Sequence, residues 1–227
     1  MDADPEPARI VLASKNPGKV RELQAMVAAA VPHLDDATTV VDARTAGLSD
    51  VVEDGVSFAE NALLKARAAA RETGMIALAD DSGLAVDVMG GAPGIFSARW
   101  SGRHGDDSAN LNLLLAQLGD VPDDHRGAQF VCAAAVVTPL GTEHVVVEEF
   151  PGRILREPAG EHGFGYDPIF APDGYDGLSC AQLTPEEKNR VSHRARAMNA
   201  VLPHLLAALG EQDDPVVVDP PRPGPGD

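Results

Sequence analysis

From residue 9 to about residue 209, short apolar runs alternate with capped helical periods, and that alternation leaves few folds open. Residues 9–13 read as a buried strand. Asn16 then offers an N-cap with Pro17 at the first helical position, and Val20, Leu23, Val27 and Ala30 share one face until Pro32. Residues 38–41 read as a strand. Ser57 and Glu60 form a capping-box pattern opening a helix that Gly74 ends, and the apolar run 75–79 follows at once, closing on a Ser82-Gly83 turn. Residues 84–88 predict a further strand, 90–94 a glycine-rich loop, and 107–118 a leucine-rich helix stopped by Gly119. Residues 130–138 and 143–150 flank Pro139-Leu140-Gly141-Thr142 as a hairpin. Thr184, Pro185 and Glu187 open a last capped segment. Its helical pattern runs from there or from Ser192 to Leu209, with Pro203 as a place to bend. Strands alternating with helices specify an α/β domain, and the hairpin makes its sheet mixed.

At 227 residues and 44% hydrophobic composition the chain can build one large core or two lobes sharing a sheet. The ends differ from the middle. Residues 1–8 carry three acids and no base, and residues 211–227 carry five acids, one arginine and five prolines, a composition that predicts disordered tails around a domain spanning 9–210. No run of about eighteen apolar residues occurs and the first residues are acidic, so neither a membrane span nor a signal peptide is expected, and a cytoplasmic setting is. Cys132 and Cys180 lack CxxC spacing, which argues against a zinc knot or a disulfide framework. A formal net charge of -17 repels nucleic-acid backbones. The absence of GxSxG, HExxH and GxGxxG patterns gives no support to a serine hydrolase, a zinc protease or a dinucleotide enzyme.

Four clusters carry chemistry. Asp80-Asp81-Ser82-Gly83 follows an apolar run, where carboxylates can hold Mg²⁺ against a phosphorylated ligand. Ser14-Lys15-Asn16-Pro17-Gly18-Lys19 joins a strand to a helix, a turn whose backbone N–H groups and lysines suit phosphate, although the Walker A spacing is missing. Glu53 precedes the capped helix bearing Asn61 and Lys65, and Glu53 with Asp81 would suffice for Mg²⁺, which takes only one or two carboxylates. Residues 188–196, KNRVSHRAR, gather four of the eighteen lysines and arginines. Just upstream, Gly163-Phe164-Gly165-Tyr166-Asp167-Pro168 could stack a flat base while His193 and Arg194 donate to its edge. Taken singly, each cluster also reads as a solvated turn, a helix cap or a basic helix face.

Taken together the residues resemble the inosine/xanthosine triphosphate pyrophosphatase family, which clears damaged purine nucleotides from the nucleotide pool. Five blocks occur in order: SKNPGK at 14–19, EDGVSFAENALLKA at 53–66, ADDSGLAVD at 79–87, GFGYDPIF at 163–170 and LTPEEKNRVSHR at 183–194. The resemblance implies an elongated mixed sheet linking two lobes, with flanking helices, a cleft between the lobes, and a homodimer. It implies Mg²⁺ on Glu53 and Asp81, with Asp81 as proton acceptor. Ser14, Lys15, Asn16, Pro17, Gly18, Lys19, Lys65, Ser82, Phe164, Gly165, Tyr166, Asp167, Lys188, His193 and Arg194 would bind a purine nucleoside triphosphate. Lys15, Trp100 and Gln182 depart from the family pattern without removing a chemical group. The rival expectations are a Maf-like pyrophosphatase for modified pyrimidine nucleotides and a non-catalytic nucleotide-binding module.

Overall fold

The computed structural model of the chain describes residues 10–14, 20, 21, 24, 25, 28 and 40–213. Its six-stranded sheet has the order β2-β1-β3-β4-β5-β6. β1 (Ile10–Leu12) runs parallel to both β2 (Val40–Asp42) and β3 (Ile76–Val86). From β3 onward the neighbours are antiparallel: β4 (Gly127–Val137), β5 (Glu143–Ile154) and β6 (Phe170–Pro172). The flanking helices are α1 (Phe58–Thr73), α2 (Asp107–Gln117), α3 (Pro185–Val191) and α4 (His193–Asp213). The mixed α/β architecture is the expected one. Backbone at 20, 21, 24, 25 and 28 is helical, while the expected tail 1–8, residues 38 and 39 of the expected second strand, and residues 214–227 lie outside the described residues. α4 itself reaches Asp213, past the expected end at Leu209.

Local chemistry sets the helix ends. Ser57 Oγ accepts the Glu60 N–H at 3.2 Å, and Gly74 closes α1 in the left-handed region at φ 69°. Glu60 reaches back to the Val56 N–H at 2.7 Å, one residue before the position of a standard capping box. At α3 both halves of the box form between Thr184 and Glu187. The break that follows falls at Ser192 and not at Pro203. Extended backbone at Ser192, with ψ 160°, ends α3, and its Oγ takes the Ala195 N–H at 3.3 Å to open α4. Pro203 sits inside the continuing helix.

The expected turn at Ser82-Gly83 is absent. A single strand of eleven residues replaces the two expected at 75–79 and 84–88, paired with β4 from Ala77↔Val137 to Val86↔Ala128, and a helical turn at Asp87–Met89 ends it. The glycine is there for a close approach. A Cβ on Gly83 would stand 2.5 Å from Ser97 Oγ, 2.6 Å from the Gly94 carbonyl oxygen and 3.0 Å from the Phe58 ring. A motif that looks like a turn thus marks where the loop after β3 folds back onto the strand.

Continuous long strands allow two cores on one face of the sheet. Ile76 and Leu78 of β3 join Cys132, Ala134 and Val136 of β4 beneath Met198, Val201 and Leu205 of α4. Further along, Leu84, Val86 and Phe130 join Leu111 and Leu114 of α2 with Phe150 and Phe170. The intervening residues of β3 on this face are the polar Asp80 and Ser82. On the opposite face small residues, Ala62, Ala66, Ala69 and Ala70, let α1 lie close against Ala77, Ala79, Ala133 and Ala135. Gly83→Ala is expected to destabilise the domain by about 1–3 kcal/mol through overpacking against a backbone carbonyl. Urea unfolding measures it, and wild-type stability would remove the close-approach account.

Candidate active site

β1 ends early and β3 does not, and the site follows from that mismatch. The Ala13 N–H still bonds the Leu78 carbonyl at 2.9 Å, but β1 pairs β3 only from Ile10↔Ile76 to Leu12↔Leu78. Among the described residues, the β1-side edge of β3 next meets a bridging residue at Ala85↔Pro93. A cavity of about 1100 Å³ opens along this stretch, beyond the carboxyl end of β1, where parallel sheets collect ligands. Ser14, Glu53, Lys65, Asp81, Ser82, Phe164, Gly165, Tyr166, Asp167, Lys188, His193 and Arg194 all line it. Residues 15–19, expected to complete the phosphate turn, lie outside the described residues.

Strand alternation sends the two adjacent carboxylates to opposite faces. Asp80 faces α4, where Arg194 Nε donates to its Oδ2 at 3.3 Å, and both side chains are essentially buried. The same guanidinium donates through Nη2 to Ser82 Oγ at 3.2 Å. Asp81 faces α1. Lys65 Nζ lies 3.2 Å from Asp81 Oδ1 and 3.3 Å from Glu53 Oε2, so one ammonium joins two acids that are distant in sequence. Asn61 Nδ2 donates to the other Asp81 oxygen at 3.1 Å, and Asn61 Oδ1 accepts the Gly55 N–H at 2.9 Å, which anchors the loop carrying Glu53. Burial works against the Lys65 charge, but Asp81, Asp80 and Glu53 together outweigh it and hold its pKa above the ordinary lysine value.

At the other end of the cavity, Asp167 shapes the aromatic turn. Its Oδ2 accepts the Phe164 N–H at 2.8 Å and the Lys188 ammonium at 2.5 Å. A Cβ on Gly163, at φ 78°, would collide with that carboxylate, so only glycine lets the turn close. The Phe164 ring is 44% exposed, with Lys188 Nζ 4.8 Å and the Arg194 guanidinium 5.9 Å from its centre. His193 is buried and stacks on Phe130 at 4.8 Å with rings 14° from parallel. Tyr166 is buried too, donating its hydroxyl to the Ser97 carbonyl at 2.9 Å, and burial with the charge of Asp107 keeps that hydroxyl protonated. Burial pushes the neighbouring Cys180 thiol up to about 12, with Asp167 adding and Lys188 opposing, which favours its neutral form.

Three contributors escape the sequence reading as site residues. Asn61 sits one helical turn before Lys65 on the same face, an i,i+4 relation that could have flagged it. Asp107, in the first turn of α2, accepts the Gly165 N–H at 2.9 Å, a contact across 58 positions with no sequence signal. Asp80 is legible as an acid, but its separation from Asp81 by the sheet is not legible when a turn is expected there. Among the described residues no group of three His, Cys, Asp or Glu stands together as a metal cluster. The hard oxygens of Glu53 and Asp81, already drawn to one cation, fit an ion that takes two carboxylates and otherwise water and phosphate oxygens.

Residues 10–204 match the sequence profile of the Ham1 family. The chain belongs to the Ham1 family. It is 55% identical over 204 residues to a dITP/XTP pyrophosphatase of Streptomyces coelicolor, an alignment covering 89% of this chain and 99% of that protein. A solved dITP/XTP pyrophosphatase from Mycobacterium abscessus is 51% identical with a TM-score of 0.70, covering 86% of this chain and 99% of that one. A HAM1 protein structure from Coxiella burnetii gives a TM-score of 0.78 at 36% identity, covering 88% and 99%. No helix among the described residues of this Ham1 chain is long and apolar enough to cross a membrane.

The adjacent acids are expected to separate in stability measurements. Asp80→Asn removes the carboxylate charge from a fully buried ion pair with Arg194 and should cost on the order of 3–5 kcal/mol. Asp81→Asn should cost markedly less, because Lys65 keeps Glu53 and the pair borders an open cavity. Equal losses in chemical denaturation would overturn the division of the two carboxylates between opposite faces.

Proposed function

We propose that this chain is a Mg²⁺-dependent pyrophosphatase that hydrolyses non-standard purine nucleoside triphosphates, ITP, dITP and XTP, to the monophosphate and pyrophosphate. The observation that carries the reading is one cavity holding two kinds of chemistry. Paired acids bridged by a lysine stand at one end, and an exposed aromatic ring among buried cationic side chains stands at the other. The activity by which the relatives are named, dITP/XTP pyrophosphatase, supports the same reading. A homodimer and a cytoplasmic setting accompany it, as the resemblance implies.

The chemistry belongs to the acid end. Water attacks the α-phosphorus in line with the departing pyrophosphate, and Asp81 orients it and takes its proton. Asn61 orients the Asp81 carboxylate through Oδ2, while Oδ1 faces the Lys65 ammonium. Lys65 and the lysines of residues 15–19 meet the charge that builds on the leaving group. Mg²⁺ held by Glu53 and Asp81 would neutralise phosphate charge and sharpen the electrophilicity of phosphorus. Ser14 borders the same region.

The purine lies against Phe164, in a turn that Asp167 and Lys188 clamp. His193 and Arg194 line this end as donors, and a 6-oxo purine presents an acceptor to them where adenine presents an amino donor. A buried donor facing a donor loses its partner, a mismatch that in the best cases discriminates by about 10⁴ or more.

Pyrophosphate release across a panel of nucleoside triphosphates tests the reading. ITP, dITP and XTP should exceed ATP and modified pyrimidine nucleotides in kcat/KM, and near-equal values for ITP and ATP would refute the base assignment. Chelation should abolish turnover and added Mg²⁺ restore it. Asp81→Asn should lower kcat by about 10²-fold or more, since the amide supplies neither base nor charge. Turnover at the wild-type rate would sink Asp81 as proton acceptor.

A further inference from the structure

The Lys65 ammonium faces both of the acids that would hold a divalent cation. It lies 3.2 Å from Asp81 Oδ1 and 3.3 Å from Glu53 Oε2, with only 14% of its side chain exposed. A small hard ion bound to Asp81 Oδ1 at about 2.0–2.1 Å would lie within about 5 Å of the ammonium nitrogen. Two cations held that close by the same acids repel each other. The acids are also held from behind. Asn61 fixes the second oxygen of Asp81 at 3.1 Å and tethers the Gly55 N–H at 2.9 Å, so both acid-bearing segments keep their positions if the lysine leaves. Gly55 lets the loop approach this closely, since a Cβ there would stand 2.6 Å from Asn61 Oδ1 and 2.8 Å from Glu60 Cβ.

We propose that Lys65 is a resident counter-cation for Glu53 and Asp81, one that keeps divalent ions out of the free protein and yields its place when a nucleotide's phosphates offer the ammonium a new partner. The inference rests on the pyrophosphatase reading and adds an order of events to it. Lys65 has a flexible four-carbon stem and a compact charge, which suits exchange between carboxylate and phosphate oxygens. Asn61 is the positioning residue that preserves the acid geometry through the exchange. The free protein would thereby not bind metal ions at these acids when no substrate is present.

Mn²⁺ alone, titrated into the nucleotide-free full chain and followed by electron paramagnetic resonance, reads the competition without turnover. Lys65→Met and Lys65→Gln should each bind Mn²⁺ about tenfold or more tighter than wild type, because a charge repelling the ion at close range has gone. Lys65→Arg, which keeps the charge, should bind no tighter than wild type. Adding Asp81→Asn to Lys65→Met should erase the gain, which ties it to this pair of acids. Neutral variants that bind Mn²⁺ no tighter than wild type overturn the proposal, even where wild type hydrolyses dITP with added Mg²⁺ and the pyrophosphatase reading stands. Wild type that releases no pyrophosphate from dITP under any divalent ion defeats that reading, and this proposal with it.

Discussion

The buried contact between Arg194 and Asp80 joins the C-terminal helix to the middle of the longest parallel strand, and the rest of the site is arranged around it. Burying an ion pair costs desolvation that only good geometry and further hydrogen bonds offset, and here Ser82 supplies one of them. The pair lies on β3 between two hydrophobic cores, where an apolar residue would have merged them into one. Because side chains alternate along a strand, fixing Asp80 toward α4 forces Asp81 toward α1. A buried structural acid and an acid that borders the cavity beside Lys65 are thereby obtained from consecutive residues, and neither can exchange places without slipping β3 by one position against all of β4.

Much of this was legible in the sequence, and the part that was not has a common cause. Helix ends were readable because caps are local: Ser57, Gly74 and Thr184 act within three or four residues of themselves. The hairpin of β4 and β5 was readable for the same reason, although both strands extend beyond the expected limits. Ser82-Gly83 misled because the residue types that make turns also permit close packing. What decides between those uses is Ser97 and Gly94, which lie in the loop folded back against β3. Asp107 was invisible for a similar reason, since its partner Gly165 is brought to it only by the tertiary fold.

Within the site, residue types were easier to read than partners. The acids at 53 and 81, the lysines at 65 and 188 and the arginine at 194 all line the cavity, as a chemistry-bearing set should. Their pairing follows from the faces of the sheet. Lys65 belongs with Asp81 because α1 covers that face, and Arg194 belongs with Asp80 because α4 covers the other. Tyr166 shows the same limit from the opposite side. Its position in an aromatic turn suggests a ligand, yet its hydroxyl is committed to the Ser97 carbonyl and its ring to the second core.

Charge balance gives the last constraint on how such a cavity can take up a triphosphate. The chain carries a net charge of -17, and three of the cations lining the described cavity already have an acid: Lys65 with Glu53 and Asp81, Lys188 with Asp167, Arg194 with Asp80. These three have little positive charge to spare, so a bare polyphosphate gains less from them than their number suggests. On the proposed reading, the missing charge comes from the lysines at 15 and 19 and from the divalent ion. Binding and catalysis then share one requirement, because the positive charge that admits the substrate also stabilises the departing pyrophosphate. On that reading, an anion that brings no divalent ion must draw these three cations from their own carboxylates, which favours a polyphosphate that arrives with its metal.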